Sequence, residues 1–125
     1  MSEKKKTPKL TYAMSEPAAK RQMKSAEERR DRAEALIEFY CCSERDLKYT
    51  RQIVEVLAEY LTNARFYKSF MEEQLQTGER IKNKKTGEDN IMVDMDDFNV
   101  LNSYLVVTAA CENELESYGI SMQLH

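Results

Sequence analysis

The stretch LKYTRQIVEVLAEYLTNARFYKSFMEEQLQ, residues 47–76, contains no glycine or proline and decides the fold. Its apolar residues, such as Ile53, Leu57 and Met71, recur at helical spacing, and Gly78 follows as a natural stop. A capping pattern at 43–46 precedes it, which predicts a helix of roughly 33 residues and ~50 Å. Since a small domain is only ~30 Å across, we expect other copies of the chain to cover this helix.

The aromatic residues of this helix widen its apolar stripe beyond what one neighbouring helix could cover. The chain also has seven methionines and seven tyrosines, residues that suit half-hydrated interfaces. We therefore predict that the helix carries an oligomer interface. The predicted interface residues are Leu57, Tyr60, Leu61, Tyr67, Phe70 and Met71.

The segments on either side of the long helix predict a mainly α fold with the order helix, long helix, short β-hairpin, C-terminal helix. Ser25 and Glu28 form a capping box before a helix over roughly 26–41. Gly87 lies between two β-prone runs and predicts a hairpin at about 79–94. Two carboxylates at 96–97 open the last helix, which Gly119 ends.

Composition excludes most catalytic classes. The chain has 125 residues, of which 42% are hydrophobic and 33% charged, so we expect one domain. It contains no interior histidine, no Cys-x-x-Cys pair, and no nucleotide-binding glycine motif. No apolar run approaches the ~18 residues of a membrane span. We therefore expect a binding or assembly protein without enzymatic activity, metal, cofactor or membrane contact.

Charge is distributed unevenly along the sequence. Residues 1–30 carry nine Lys or Arg against four Asp or Glu, whereas residues 86–125 carry eight acidic residues and no Lys or Arg. We interpret residues 1–24 as a flexible basic arm and residues 25–125 as the helical oligomerisation domain. The arm is either a solvated tail without a partner, a contact for nucleic acid, or a contact for the acidic segment of a neighbouring copy.

Two groups of basic residues are candidates for phosphate contact, one in the arm and one in the hairpin. Alternation along the first hairpin strand is expected to place its three basic residues on one face. The predicted nucleic-acid-binding residues are Lys4, Lys5, Lys6, Lys9, Lys20, Arg21, Lys24, Arg29, Arg30, Arg80, Lys82 and Lys84.

The motif order resembles the small terminase subunits of tailed bacteriophages over roughly residues 33–123. The run SERDL at 43–47, followed by Ala58-Glu59-Tyr60, is similar to that family's T-E-x-D-L entry and A-x-Y helix. The run LESYGIS at 115–121 is similar to its terminal L-x-x-x-G-L-[ST] pattern. The chain departs from the family at 96–98, where an Asn-Pro or His-Pro pair is common, and after the last helix, where Pro and Arg are common.

The resemblance implies a non-enzymatic packaging protein that assembles as an oligomeric helical ring. Such a subunit binds double-stranded viral DNA at the packaging start site, in the cytoplasm of the bacterial host. It also recruits and regulates the large terminase subunit, which carries the ATPase and nuclease. The alternative is a small phage-type helical protein that inhibits or neutralises a protein partner through its acidic C-terminal half.

Overall fold

Three long helices and a small three-stranded sheet make up the computed structural model, which describes residues 11–42 and 49–122. The mainly helical class and the element order from the long helix onward are confirmed. The elements are β1 (Thr11–Ser15), α1 (Glu16–Cys42), α2 (Thr50–Thr77), β2 (Glu79–Lys82), β3 (Asp89–Asp94) and α3 (Met95–Ser117).

Helices α1 and α2 form an antiparallel pair. The Glu34 carboxylate lies 2.8 Å from Arg65, and farther along the pair Glu27 lies 3.8 Å from Lys68. The buried positions of α1 are alanines spaced seven residues apart, which lets the two backbones approach closely. Apart from Val56, which is also buried, the buried positions of α2 alternate in steps of three and four, the spacing of a coiled-coil seam. These are Ala19, Ala26 and Ala33 in α1, and Ile53, Leu57, Tyr60, Ala64, Tyr67, Met71 and Gln74 in α2.

The chain covers its own long helix, so the premise of the predicted oligomer interface is wrong. With 27 residues, α1 runs along nearly all of the 28-residue α2, while α3 and the sheet cover its other sides. Four of the six predicted interface residues are at most 3% exposed, and the other two are partly buried against the core. The buried four are Leu57, Tyr60, Tyr67 and Met71, and the other two are Leu61 and Phe70.

The sheet has the order β1-β3-β2, and both pairings are antiparallel. The hairpin predicted at 79–94 is confirmed, and Gly87 has the positive φ of 77° that its turn requires. Ile91 and Val93 in the central strand are buried against Met71 and Leu101 of the helices. Strand β1 was not predicted, and it completes the sheet by pairing with the far side of β3.

The flexible-arm prediction is wrong for residues 11–24, which form β1 and the start of α1. Helix α1 begins at Glu16, so the Ser25 capping box lies inside it. Pro17 fits the first turn because that turn needs no amide donor, and the Ser15 hydroxyl accepts from the Ala18 amide at 3.3 Å. Residues 1–10 and the 43–46 capping pattern lie outside the described residues.

Helix ends elsewhere agree with local chemistry. The Asp94 carboxylate accepts from the Asp96 amide at 2.9 Å and caps α3, and Gly119 follows that helix with a φ of 82°. Gly78 ends α2 as predicted, yet its φ is −67°. A Cβ there would lie 2.5 Å from Ile91 Cγ2, so close packing requires this glycine. No helix in the described ranges is long and apolar enough to cross a membrane.

Candidate nucleic-acid interface

Eight of the twelve predicted nucleic-acid-binding residues lie in the described part of the chain. Lys4, Lys5, Lys6 and Lys9 fall outside it. The other eight separate into side chains held by partners within the fold and side chains that reach solvent. The structure therefore tests which of the predicted cations are available to a ligand.

Three arginines are held by neighbouring groups. Arg30 donates to the Asp31 carboxylate from both Nε and Nη2, at 3.1 and 2.9 Å. Arg29 is partly buried, and its Nε lies 3.4 Å from Glu112 Oε2. Arg80 donates to Glu16 Oε2 at 2.9 Å and to the backbone carbonyls of Gly78 and Leu75. Arg29 and Arg80 join distant segments of the chain, whereas Arg30 pairs with its sequence neighbour. In all three cases a phosphate would have to compete with a carboxylate of the same chain.

The hairpin face predicted to follow a phosphate backbone points toward the helices. Arg80 is paired with Ile91 across the strands, and cross-strand neighbours share a face of the sheet. Because Ile91 is fully buried, this is the face that packs on the helices. Lys82 lies on the same face at its exposed end, and Lys84 lies in the turn after the strand. The predicted shared face is therefore confirmed for Arg80 and Lys82 and is wrong for Lys84, because β2 ends at Lys82.

Five predicted basic residues are exposed at one end of the molecule, and we call them the basic end. They are Lys20, Arg21, Lys24, Lys82 and Lys84. Lys20 lies 3.5 Å from Glu16, and its side chain remains 64% exposed. Among the described residues, the other four have no hydrogen bond or ion pair through their side chains.

The Glu16–Arg80 ion pair joins the arm group to the hairpin group. Glu16 begins α1 and contacts both Lys20 and Arg80, so the two predicted phosphate surfaces form one surface. The hydrogen bond from Arg80 lowers the pKa of the Glu16 carboxyl below its usual value, and Lys20 adds to this effect. Glu16 is ionised at neutral pH like other glutamates, and its lowered pKa means that the ion pair with Arg80 persists further into the acidic range.

An open groove of about 560 Å³ lies between α1, the end of α2 and β2. Met23 and Leu75 give it an apolar part, while its charged lining consists of three cations and two carboxylates. The charged residues are Lys20, Lys24, Arg80, Glu16 and Glu27. This lining can accept an anionic group such as a phosphate on its cationic rim.

Charge is strongly separated between this end and the rest of the chain. Within the described part of the chain, residues 11–24 and 79–89 carry seven Lys or Arg and four Asp or Glu. The other described residues carry six Lys or Arg and 15 Asp or Glu. A molecule with this charge separation orients in the field of a polyanion.

A polar layer between the two halves of the core was not predicted from the sequence. The Tyr60 hydroxyl donates to Glu112 Oε2 at 2.6 Å, and the Tyr67 hydroxyl donates to Gln22 Oε1 at 2.6 Å. Burial, followed by the bond to Glu112, raises the pKa of Tyr60 well above its usual range. Burial also raises the pKa of Tyr67. Tyrosines at seam positions of α2 give a weak sequence signal, because each buried hydroxyl needs a partner.

Cys111 in α3 is a buried thiol beside a carboxylate. Its Sγ donates to Glu59 Oε1 at 3.6 Å. Burial is the main cause that raises the pKa of Cys111 to about 12, and the negative charge of Glu59 is the second. Such a thiol stays protonated and is unsuited to nucleophilic chemistry. In residues 11–42 and 49–122, no group of three His, Cys, Asp or Glu side chains could hold a metal ion.

Comparison of the chain with protein-family models, curated proteins and solved structures gave no significant match.

Proposed function

We propose that this chain is a small terminase subunit of a tailed bacteriophage, a non-enzymatic homo-oligomer that binds double-stranded viral DNA. It would act in the cytoplasm of the bacterial host and recruit and regulate the large terminase subunit. The observation that supports this function best is the charge separation. The groups predicted separately in the arm and the hairpin meet at one end of a chain that is otherwise strongly acidic.

The basic end suits contact with the phosphate backbone. Lysines that neutralise phosphates release condensed counterions, and this release drives sequence-independent binding. Lys24, Lys82 and Lys84 are exposed and have no internal ion pair among the described residues, so binding need not break one. The acidic remainder of the surface repels DNA and restricts contact to this end.

The test is the affinity for a short DNA duplex measured by fluorescence anisotropy between about 50 and 200 mM salt. We expect binding that weakens steeply with salt. The double variant Lys24→Gln/Lys82→Gln, which removes one unpaired cation from each group, should lower the slope of log affinity against log salt by about two. The matched control Arg51→Gln/Arg65→Gln removes two exposed cations from elsewhere on the molecule and should leave the slope unchanged.

Two results would contradict the DNA-binding proposal. One is the absence of binding at the lowest salt concentration. The other is an equal loss of affinity in the two double variants, which would mean that net charge rather than the basic end determines binding. Recruitment is tested separately, by measuring whether the chain changes the ATPase rate of the large subunit from the same phage.

A second candidate function is inhibition or neutralisation of a protein partner through the acidic half. A cleft of about 390 Å³ at the end of α3 is lined by Glu112, Glu116 and residues 119–122, with no Lys or Arg in its described lining. Such a cleft fits a basic segment of a partner protein. Failure to bind DNA, together with capture of a lysine-rich peptide that Glu116→Gln weakens, would favour this function.

A further inference from the structure

A groove of about 360 Å³ lies between α1 and α3, which both pack on α2. It is separate from the groove beside Arg80, because the two are lined by different side chains of α1. Its described lining contains two guanidiniums, a hydroxyl and an amide but no carboxylate. We call it the donor groove, and its lining residues are Ala18, Arg21, Gln22, Ser25, Arg29 and Leu105.

The spacing along α1 brings the donors of the groove into one row. Arg21, Ser25 and Arg29 are four residues apart, so they lie on the same side of the helix. The first and last of these positions are about 12 Å apart along the helix axis, which long arginine side chains can bridge from both ends. A guanidinium has five N–H donors and no acceptor. Two arginines on either side of a serine hydroxyl therefore suit an anion that has several oxygen atoms.

An internal hydrogen bond orients the amide of Gln22. The Tyr67 hydroxyl donates to Gln22 Oε1 at 2.6 Å, and Tyr67 is only 3% exposed. The amide oxygen is thus already an acceptor within the fold, whereas the amide nitrogen donates to no other described residue. Gln22 therefore offers the groove an N–H donor rather than a carbonyl acceptor.

The positive charge of the donor groove is only partly compensated. Arg29 Nε is buried without a hydrogen bond, and its ion-pair partner, Glu112 Oε2 at 3.4 Å, already accepts from the Tyr60 hydroxyl. Arg21 has no ion pair among the described residues. On the facing helix, residues 98–111 contain no Asp, Glu, Lys or Arg. Two guanidiniums therefore share one carboxylate, and the groove attracts anions.

We propose that the donor groove binds a phosphate group, either of free phosphate or of a nucleic-acid backbone. The oxygens of a phosphate can accept from both guanidiniums, from the Ser25 hydroxyl and from the Gln22 amide, and hydrogen bonds between charged groups are the strong ones. A carboxylate ligand has only two oxygens and would reach fewer of these donors. The charge and the donor set of the groove together select the phosphate group.

This inference goes beyond the proposed function, which places DNA contact at the basic end. Arg21 belongs to both surfaces, so a backbone phosphate in the donor groove would extend the DNA contact along α1. A site for free phosphate would stand even if the chain did not bind DNA. The two proposals fail separately, because DNA affinity tests one and phosphate titration tests the other.

The experiment is a titration of the full chain with sodium phosphate at constant ionic strength, followed by proton–nitrogen NMR. The resonances observed are the backbone amides and the side-chain amide of Gln22. We expect saturable shifts at Gln22, Ser25 and Arg29, with a dissociation constant in the millimolar range because the groove is open to water. Sodium chloride at the same ionic strength should give no saturable shift at these residues.

Two matched pairs of variants test the residues. Gln22→Glu keeps an acceptor for the Tyr67 hydroxyl but brings a negative charge into the groove, so it should weaken phosphate binding at least tenfold. Gln52→Glu adds the same charge on the exposed side of α2 and should leave binding unchanged. Arg21→Gln should weaken binding about tenfold, whereas Arg51→Gln, from an arginine that is 91% exposed, should not. Circular dichroism checks that each variant is folded, and the arginine pair decides the test if Gln22→Glu is not.

A second titration adds a short DNA duplex to the phosphate-loaded chain. Displacement of phosphate from the donor groove would identify the nucleic-acid backbone as the ligand, and retention would identify free phosphate. Absence of a saturable shift in the groove would overturn the proposal. So would phosphate binding that Gln22→Glu weakens no more than Gln52→Glu, because net charge alone would then explain it.

Discussion

Removing one hydroxyl, by Tyr60→Phe, should measurably loosen the contact between α2 and α3. Tyr60 is fully buried, and its hydroxyl donates to Glu112 Oε2 at 2.6 Å. The same oxygen lies 3.4 Å from Arg29 Nε, so Glu112 ties α3 to both α2 and α1. The substitution removes this donor and leaves the ring in place.

The expected loss of stability in Tyr60→Phe follows from the charge and the exposure of the acceptor, Glu112. A hydrogen bond to a charged group stabilises a protein by about 1.5–3 kcal/mol. Because the Glu112 side chain is 32% exposed, water can replace the lost donor, and we expect about 1.5 kcal/mol. For a chain of this size, that loss lowers the melting temperature by roughly 6 °C.

The assay is urea and thermal unfolding followed by far-UV circular dichroism. Tyr12→Phe is the matched control, because Tyr12 is exposed and its ring stacks on Phe98 with 4.1 Å between ring centroids, a contact that phenylalanine keeps. The control should retain wild-type stability. If the free energy of unfolding of Tyr60→Phe lay within about 0.3 kcal/mol of the wild-type value, the Tyr60–Glu112 hydrogen bond would not stabilise the fold as argued. A double-mutant cycle with Glu112→Gln would then measure any coupling directly.

Three further outcomes are expected. Gly78→Ala should lower the free energy of unfolding in urea by about 1–3 kcal/mol, since the added Cβ would lie 2.5 Å from Ile91 Cγ2. Wild-type stability of this variant would contradict the close packing. Because burial raises the pKa of Cys111 from 9.0 to about 12, the folded state keeps a proton that the unfolded chain loses. Stability should therefore fall as the pH rises above about 9, and an equally steep fall in Cys111→Ala would exclude this thiol as a cause. Deleting residues 1–10 should lower DNA affinity by removing four lysines. Deleting residues 1–24 should also destabilise the fold, because it removes β1 and the start of α1, and a wild-type melting curve of that variant would contradict this.

Local chemistry explains the correct parts of the sequence prediction. Helix α2, helix α3 and the hairpin were predicted because their signals lie within a few residues of each other. Asp96 and Asp97 mark the first turn of α3, and Gly87 marks the hairpin turn. These signals act through nearest neighbours on the chain, so no knowledge of the tertiary structure is needed to interpret them.

The candidate site was predicted in composition but not in arrangement. Basic residues at both ends of the groove were identified, yet the sequence could not show that Arg80 would pair with Glu16, which lies 64 residues earlier. Nor could it show that the face of β2 carrying Arg80 would turn toward the helices. Which cations remain free depends on partners that are distant in sequence.

The sequence by itself determined the helical class, the position of the hairpin and the uneven distribution of charge, because each depends on residue type and short-range spacing. The tertiary structure alone decided that residues 11–15 form a strand, since Thr11 pairs with Asp94, 83 residues away. It also decided that Tyr60 and Met71 lie in the core rather than at an interface. A strand needs a partner edge and a buried side chain needs a covering element, and both are supplied only when distant segments meet.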